Sequence, residues 1–250
     1  MNSLTQLFAA ACLLALCAAK VGASDPTPAA GQGFSLDFPE LGEDFSGNPM
    51  KMEVWIPTDW DAGKKFPLLI FLPGGKGGNS LGEAKNLGRG KFICAGLPYP
   101  DTARNPAQEN MVGDFKKLWK AWEPMFERLE KVVPNIDPER SVIGGFSNGA
   151  HAIDGLLEAK DFIGRFSAYF LIDGGGALGD RYKLARGKQL YAAYGEKSPA
   201  RTIVPTVVER AKKARMVVVS SVMEDSGHSF TAPEKEKVAG WIHGTVLGAK

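Results

Sequence analysis

Apolar residues return along this chain in two alternating rhythms. Short unbroken runs, such as Pro67–Leu72, Lys91–Ala95, Ser141–Ile143, Ala168–Ile172, Gln189–Tyr194 and Met216–Val222, have the length and composition of strands covered on both faces. Between several of these runs, apolar side chains recur every three or four positions, the period of a helix with one buried face. Phe115, Leu118, Trp119, Trp122, Met125, Phe126 and Leu129 share one such face, with Pro124 predicted to kink or interrupt it. Ala150, Ile153, Leu156 and Leu157 form a second, Pro205–Lys213 a third, and Val238, Trp241, Ile242 and Val246 close the chain. Nearer the N-terminus, Phe34–Phe38 and Met50–Ile56 read as strands, the latter with Met52, Val54 and Ile56 on one side. The alternation predicts a three-layer α/β fold with a mostly parallel sheet and antiparallel N-terminal strands. Only a short crossover fits between Ile172 and Gln189, so a shallow, open site without a large lid is expected.

With 250 residues, 44% of them hydrophobic, the chain can bury the core of one domain, expected over residues 34–250. Its 30 basic and 28 acidic residues are mixed, and the net charge of +2 gives a nucleic-acid partner no electrostatic support. Leu7–Ala19 is nearly all apolar but short for a bilayer, and the small residues Val21-Gly22-Ala23 follow it. This predicts a signal peptide over 1–23 with cleavage before Ser24, hence a secreted or periplasmic protein without stable membrane association. No lysine or arginine precedes the apolar run, which keeps a retained anchor as the alternative, while Leu16 argues against lipid attachment at Cys17. Ser24–Gly33 reads as a flexible leader. Cleavage would remove Cys12 and Cys17 and leave Cys94 alone, packed in an apolar run and unable to form an internal disulfide.

The chemistry centres on Gly145-x-Ser147-x-Gly149, directly after a β-branched stretch and directly before a helical pattern. A serine there sits on a sharp strand-to-helix turn that projects its hydroxyl and tolerates almost no side chain nearby. Of the three histidines, His228 follows a buried strand within the loop Asp225–Phe230 and is the expected general base. His151, one helical turn beyond Ser147, is expected to pack at the base of the elbow, and His243 to be structural. The backbone N–H of Asn148 would supply one oxyanion donor, and Gly75, in the glycine-rich loop Phe71–Gly78, the other, with Gly74 its neighbour in the same role. Lys76 precedes glycine and not serine or threonine, so this loop is not a phosphate-binding Walker motif. Three scattered histidines offer no zinc-ligand spacing, and the chemistry calls for no metal or organic cofactor.

Taken together, Asn135–Gly149, the loop Pro67–Asn79 and Gly227-His228-Ser229-Phe230 resemble the α/β-hydrolase fold, specifically its secreted polyhydroxybutyrate-depolymerase and feruloyl-esterase-like branch. The resemblance implies a serine esterase acting on a small or polymeric ester. Two positions depart from the family pattern. Pro73 stands where a histidine usually precedes the oxyanion glycines, and Ser198 stands where an aspartate usually follows Gly195 by three residues. The usual acid is therefore missing, although an imidazole base needs a carboxylate to orient it. Three candidates are open. Asp173 follows the strand Ala168–Ile172 and opens a run of glycines, Glu196 follows the next strand, and Asp225 lies three residues before His228. Asp173 is favoured, then Glu196, with a turn role open for either. A serine peptidase of the same fold and a catalytically impaired binding protein are the alternatives to an esterase.

Overall fold

In a computed structural model, the structure describes residues 25–77, 81–176 and 181–248. The proposed signal segment, with Cys12, Cys17 and the cleavage point before Ser24, lies outside the described residues, as do the last positions of the glycine-rich loop.

The described residues form ten strands: β1 (Gly33–Asp37), β2 (Lys51–Trp55), β3 (Leu68–Leu72), β4 (Ile93–Gly96), β5 (Arg104–Asn105), β6 (Gln108–Val112), β7 (Val142–Phe146), β8 (Ala168–Ile172), β9 (Gln189–Gly195) and β10 (Val217–Met223). Eight form one sheet in the order β1-β2-β4-β3-β7-β8-β9-β10, and β5 and β6 form a separate hairpin. The antiparallel opening is present, since β2 runs against both β1 and β4. From β4 to β10 every pairing is parallel.

The helices are α1 (Leu81–Gly88), α2 (Phe115–Val132), α3 (Asn148–Leu156), α4 (Lys160–Gly164), α5 (Val204–Lys213) and α6 (Ala232–Ile242), the last extended by a wider turn over His243–Leu247. The unbroken apolar runs follow from their place in the sandwich. Side chains alternate across a strand, so Leu68, Ile70 and Leu72 enter one core with Trp122, Phe126, Ile153 and Val207 of α2, α3 and α5. Leu69 and Phe71 enter the other, with Leu87 of α1 and Val238 and Ile242 of α6. A strand buried on both faces has no polar side to show in its sequence.

Several local features add to or differ from the sequence reading. Pro124 lies inside α2 and does not end it. Leu118, Trp122, Met125, Phe126 and Leu129 are buried on both sides of the proline, and that shared burial outweighs the single helical hydrogen bond it removes. Helix α1 and the β5–β6 hairpin carry too weak a periodicity to be read, and α6 begins at Ala232, where the Thr231 hydroxyl accepts from the Glu234 N–H. The leader is tied down at Asp25, whose carboxylate pairs with Arg128 at 2.9 Å and Lys131 at 3.5 Å. Cys94 is buried, and burial pushes its thiol up to about 12, which removes it as a nucleophile at neutral pH.

Register places the chemistry. Phe146 pairs with Ile172, Ile172 with Ala193, and Gly195 with Met223. The turns after β7, β8, β9 and β10 therefore open side by side along one sheet edge.

Candidate active site

Ser147 occupies the turn between β7 and α3 with φ 55° and ψ −113°, a backbone conformation that costs a non-glycine residue about 1–3 kcal/mol. The flanking glycines allow it by close approach. A Cβ on Gly149 would lie 2.1 Å from the Leu72 carbonyl oxygen, and one on Gly145 would lie 2.5 Å from the Gly149 carbonyl carbon. Strand and helix can meet at this angle only because neither position has a side chain.

His228 reaches the serine from the loop between β10 and α6, with Nε2 2.8 Å from Ser147 Oγ. On the other side of the ring, Nδ1 lies 2.6 Å from Asp173 Oδ2. The imidazole is half exposed, its flat face against Phe146 at a ring separation of 4.9 Å, whereas the Asp173 side chain is fully buried. Asp173 follows β8 with φ 52°, and its carboxylate accepts from the Gly195 N–H at 3.1 Å and from the Ser198 hydroxyl at 2.9 Å. The other carboxylate candidates are engaged elsewhere. Glu196 Oε2 accepts from the Asp225 N–H at 3.0 Å, and the Asp225 carboxylate takes Lys197 Nζ at 2.9 Å.

The loop after β3 abuts the serine, since a Cβ on Gly74 would sit 3.0 Å from Ser147 Cβ. Gly75 has φ 59°, and its carbonyl accepts from Asn148 Nδ2 at 2.8 Å. Asn148 Oδ1 in turn accepts from the Val112 N–H at 2.9 Å, so one buried side chain ties the loop to the β5–β6 hairpin. Its backbone N–H lies in the first turn of α3, where a helix has no internal acceptor to offer. Pro73, the other departure from the family pattern, gives its carbonyl to the Tyr99 hydroxyl at 2.7 Å.

A cleft of about 380 Å³ opens over Ser147, lined also by His151, Met111, Pro199, Ala200 and Ile203. His151 packs against Phe115 but also faces this cleft, which the sequence reading did not anticipate. A larger hollow of about 480 Å³ around Asp37, Asp44 and Lys51 contains no histidine. Among the described residues, no group of three His, Cys, Asp or Glu side chains is gathered as a metal ion would require. The sequence reading named Ser198 only as the position of a missing aspartate and did not anticipate its contact with Asp173, and it missed the role of the Asn148 side chain, whose one signal was its place beside Ser147.

No family model matches the chain. Its solved neighbours include the Bacillus cereus carboxylesterase, 20% identical, with a TM-score of 0.60 over 79% of this chain and 95% of that one. Thermogutta terrifontis esterase 2 phosphoramylated by tabun is 14% identical, with a TM-score of 0.62 over 88% of this chain and 96% of that one. The chain has the α/β-hydrolase fold. The same α/β-hydrolase architecture appears in the AtxE2 isopeptidase, 13% identical, with a TM-score of 0.60 over 88% of this chain and 41% of that one. Among curated proteins, a probable dipeptidyl-peptidase 5 of Aspergillus terreus is 27% identical over 146 residues, 52% of this chain. That match spans 19% of the relative's length.

Proposed function

We propose that the protein is a serine carboxylic-ester hydrolase. The observation that carries the reading is the continuous chain of contacts Ser147 Oγ, His228 Nε2, His228 Nδ1, Asp173 Oδ2, at 2.8 and 2.6 Å. His228 takes the Ser147 proton as the oxygen attacks the ester carbonyl, and Asp173 holds the ring in the tautomer with a proton on Nδ1 and stabilises the imidazolium that forms. The tetrahedral oxyanion is held by the backbone N–H groups of Asn148 and Gly75. His228 then protonates the leaving alcohol, and water, activated by the same imidazole, releases the acid from the acyl-enzyme.

The apolar lining of the cleft by Met111, Pro199, Ala200 and Ile203 favours an ester with an uncharged group beside the carbonyl. The motifs favour the polyhydroxybutyrate-depolymerase and feruloyl-esterase-like branch, acting in one domain outside the cytoplasm once 1–23 is removed. No helix among the described residues is long and apolar enough to cross a membrane.

A fluorophosphonate is a suitable probe, because one fold neighbour carries a phosphoramylated state. Wild type is expected to label and Ser147→Ala to stay blank. Equal slow labelling of both would end the enzyme reading in favour of a binding protein. Hydrolysis of aryl and alkyl esters without cleavage of peptide amides is expected, and the reverse preference would move the assignment to a peptidase, in keeping with the curated dipeptidyl-peptidase match.

A further inference from the structure

Tyr99 is a buried titratable residue to which the reaction above gives no part. Its ring stacks on Trp122 at a separation of 6.2 Å and tilts against Phe45 at 5.5 Å, and Trp122 is itself anchored by its indole N–H to the Pro98 carbonyl at 2.7 Å. The ring is therefore fixed in the core. Burial holds the phenol well above its ordinary pKa, so the hydroxyl keeps its proton and stays a donor. It donates to the Pro73 carbonyl at 2.7 Å, at the start of the glycine-rich loop beside Ser147. The same ring seats the far side of that loop, since a Cβ on Gly77 would lie 2.3 Å from Tyr99 Cδ2.

Three consecutive carbonyls of the loop are occupied. Pro73 accepts from the Tyr99 hydroxyl, Gly74 from the Gly77 N–H at 3.2 Å, and Gly75 from Asn148 Nδ2 at 2.8 Å. No peptide bond among the described residues is cis, and in a trans unit the N–H points away from the carbonyl. The N–H groups of Gly74, Gly75 and Lys76 are thus turned away from those three partners, and none of them donates to another group among the described residues. Open donors of this kind suit an oxyanion, whereas a flipped peptide would present it with a carbonyl. Glycine at 74 and 75 leaves such flips sterically free, so the partners set the direction. Gly77 belongs to the loop and Asn148 to the nucleophile's own turn, which makes Tyr99 the tie to the core. We propose that Tyr99 is a positioning residue for the oxyanion loop: its hydroxyl fixes the 73–74 peptide and its ring seats Gly77, so that the Gly75 N–H is set for the oxyanion before substrate arrives.

This role rests on the serine-hydrolase reading, and fluorophosphonate labelling of wild type against Ser147→Ala tells the two apart. If wild type labels no faster than Ser147→Ala, both fall together. If it labels faster, Tyr99→Phe decides, because that variant keeps the ring against Gly77, Trp122 and Phe45 and removes one oxygen. For an aryl ester, kcat and kcat/KM are expected to fall together about fivefold, the worth of one hydrogen bond, because the oxyanion forms only after binding. An aryl trifluoromethyl ketone gives the second readout. Ser147 Oγ bonds to its carbonyl carbon, the π pair becomes an oxyanion, the serine proton passes to His228, and no group leaves. Its inhibition constant should weaken by the same factor, while that of the matching alcohol, which forms no oxyanion, should not move. A merely structural tyrosine would lower the unfolding midpoint and leave these constants unchanged per folded molecule. That result, or a loss confined to KM, would overturn the positioning role. Should Tyr99→Phe not fold, Gly77→Ala lifts the loop from the ring with the hydroxyl intact, and the same paired loss of kcat and ketone affinity is expected. Wild-type constants in that variant would overturn the role equally.

Discussion

Ser147 and Asp173 are structural twins that differ in how visible they are. Each is the first residue past the end of its strand, on paired strands β7 and β8, and each has a positive φ, 55° and 52°. Each is followed closely by a glycine that backbone approach requires, for a Cβ on Gly174 would lie 2.4 Å from the Ser147 carbonyl oxygen. Yet the serine is legible at once and the aspartate is one of three candidates. The serine turn is marked by its own chain neighbours, Gly145 and Gly149, even though the atom that excludes a side chain at Gly149 is the Leu72 carbonyl oxygen of β3. The aspartate makes its contacts with partners far off in sequence, Gly195, Ser198 and His228. Local backbone crowding writes a motif, whereas long-range hydrogen bonding does not.

The largest effect that could break this pairing is chemical. Asp173→Asn is expected to lower kcat about 10³–10⁴-fold by removing the charge that fixes the imidazole tautomer. Glu196→Gln and Asp225→Asn, whose carboxylates are turned to other partners, should stay within about threefold of wild type, a cutoff far below the loss from an acid's removal. Steady-state ester hydrolysis ranks the three, and a dominant loss at Glu196 would dissolve the parallel between the two turns.

Next in size is the steric test. Gly149→Ala drives a Cβ to 2.1 Å from backbone, and Gly174→Ala does the same at 2.4 Å although it lies outside the serine motif. Both should lose about 2–4 kcal/mol in denaturant unfolding, while Gly164→Ala, with open space around it, should change little. A mild Gly174→Ala would mean that the acid turn does not share the serine turn's crowding.

Asn148→Ala probes the clamp between the glycine loop and the hairpin. It strands the buried Val112 N–H and releases the carbonyl of the exposed Gly75, and should cost about 1–3 kcal/mol of stability together with part of kcat. A loss of stability with kcat intact would assign Asn148 to the fold alone.

The smallest effect is a pH dependence of the fold, at a histidine outside both turns. His243, in the turn after α6, has its pKa held below 6.5 by burial and then by the charge of Arg89. The unfolded chain therefore protonates first as pH falls through 6.5, so stability is full above that value and declines below it. His243→Gln should flatten the slope of unfolding free energy between pH 5 and about 6.5. An unchanged slope would remove His243 from that account.

The alternation of apolar runs and helical stripes already specified the layers, because a doubly covered strand cannot hide its composition. Pro124 could not be resolved that way, since whether a proline ends a helix depends on what its neighbours bury. The turn at Ser147 and the loop that carries His228 were likewise marked by residues adjacent in the chain. What only tertiary structure decided was which carboxylate meets the His228 ring. Asp173, Glu196 and Asp225 each lie in a turn beside the site, and their sequences differ little in promise. The parallel register of β8, β9 and β10 directs one carboxylate at the imidazole and surrounds it with donors, while the other two are taken up by an N–H and a lysine. A hydrogen bond is directional over a fraction of an ångström, and no pattern along a chain carries that information.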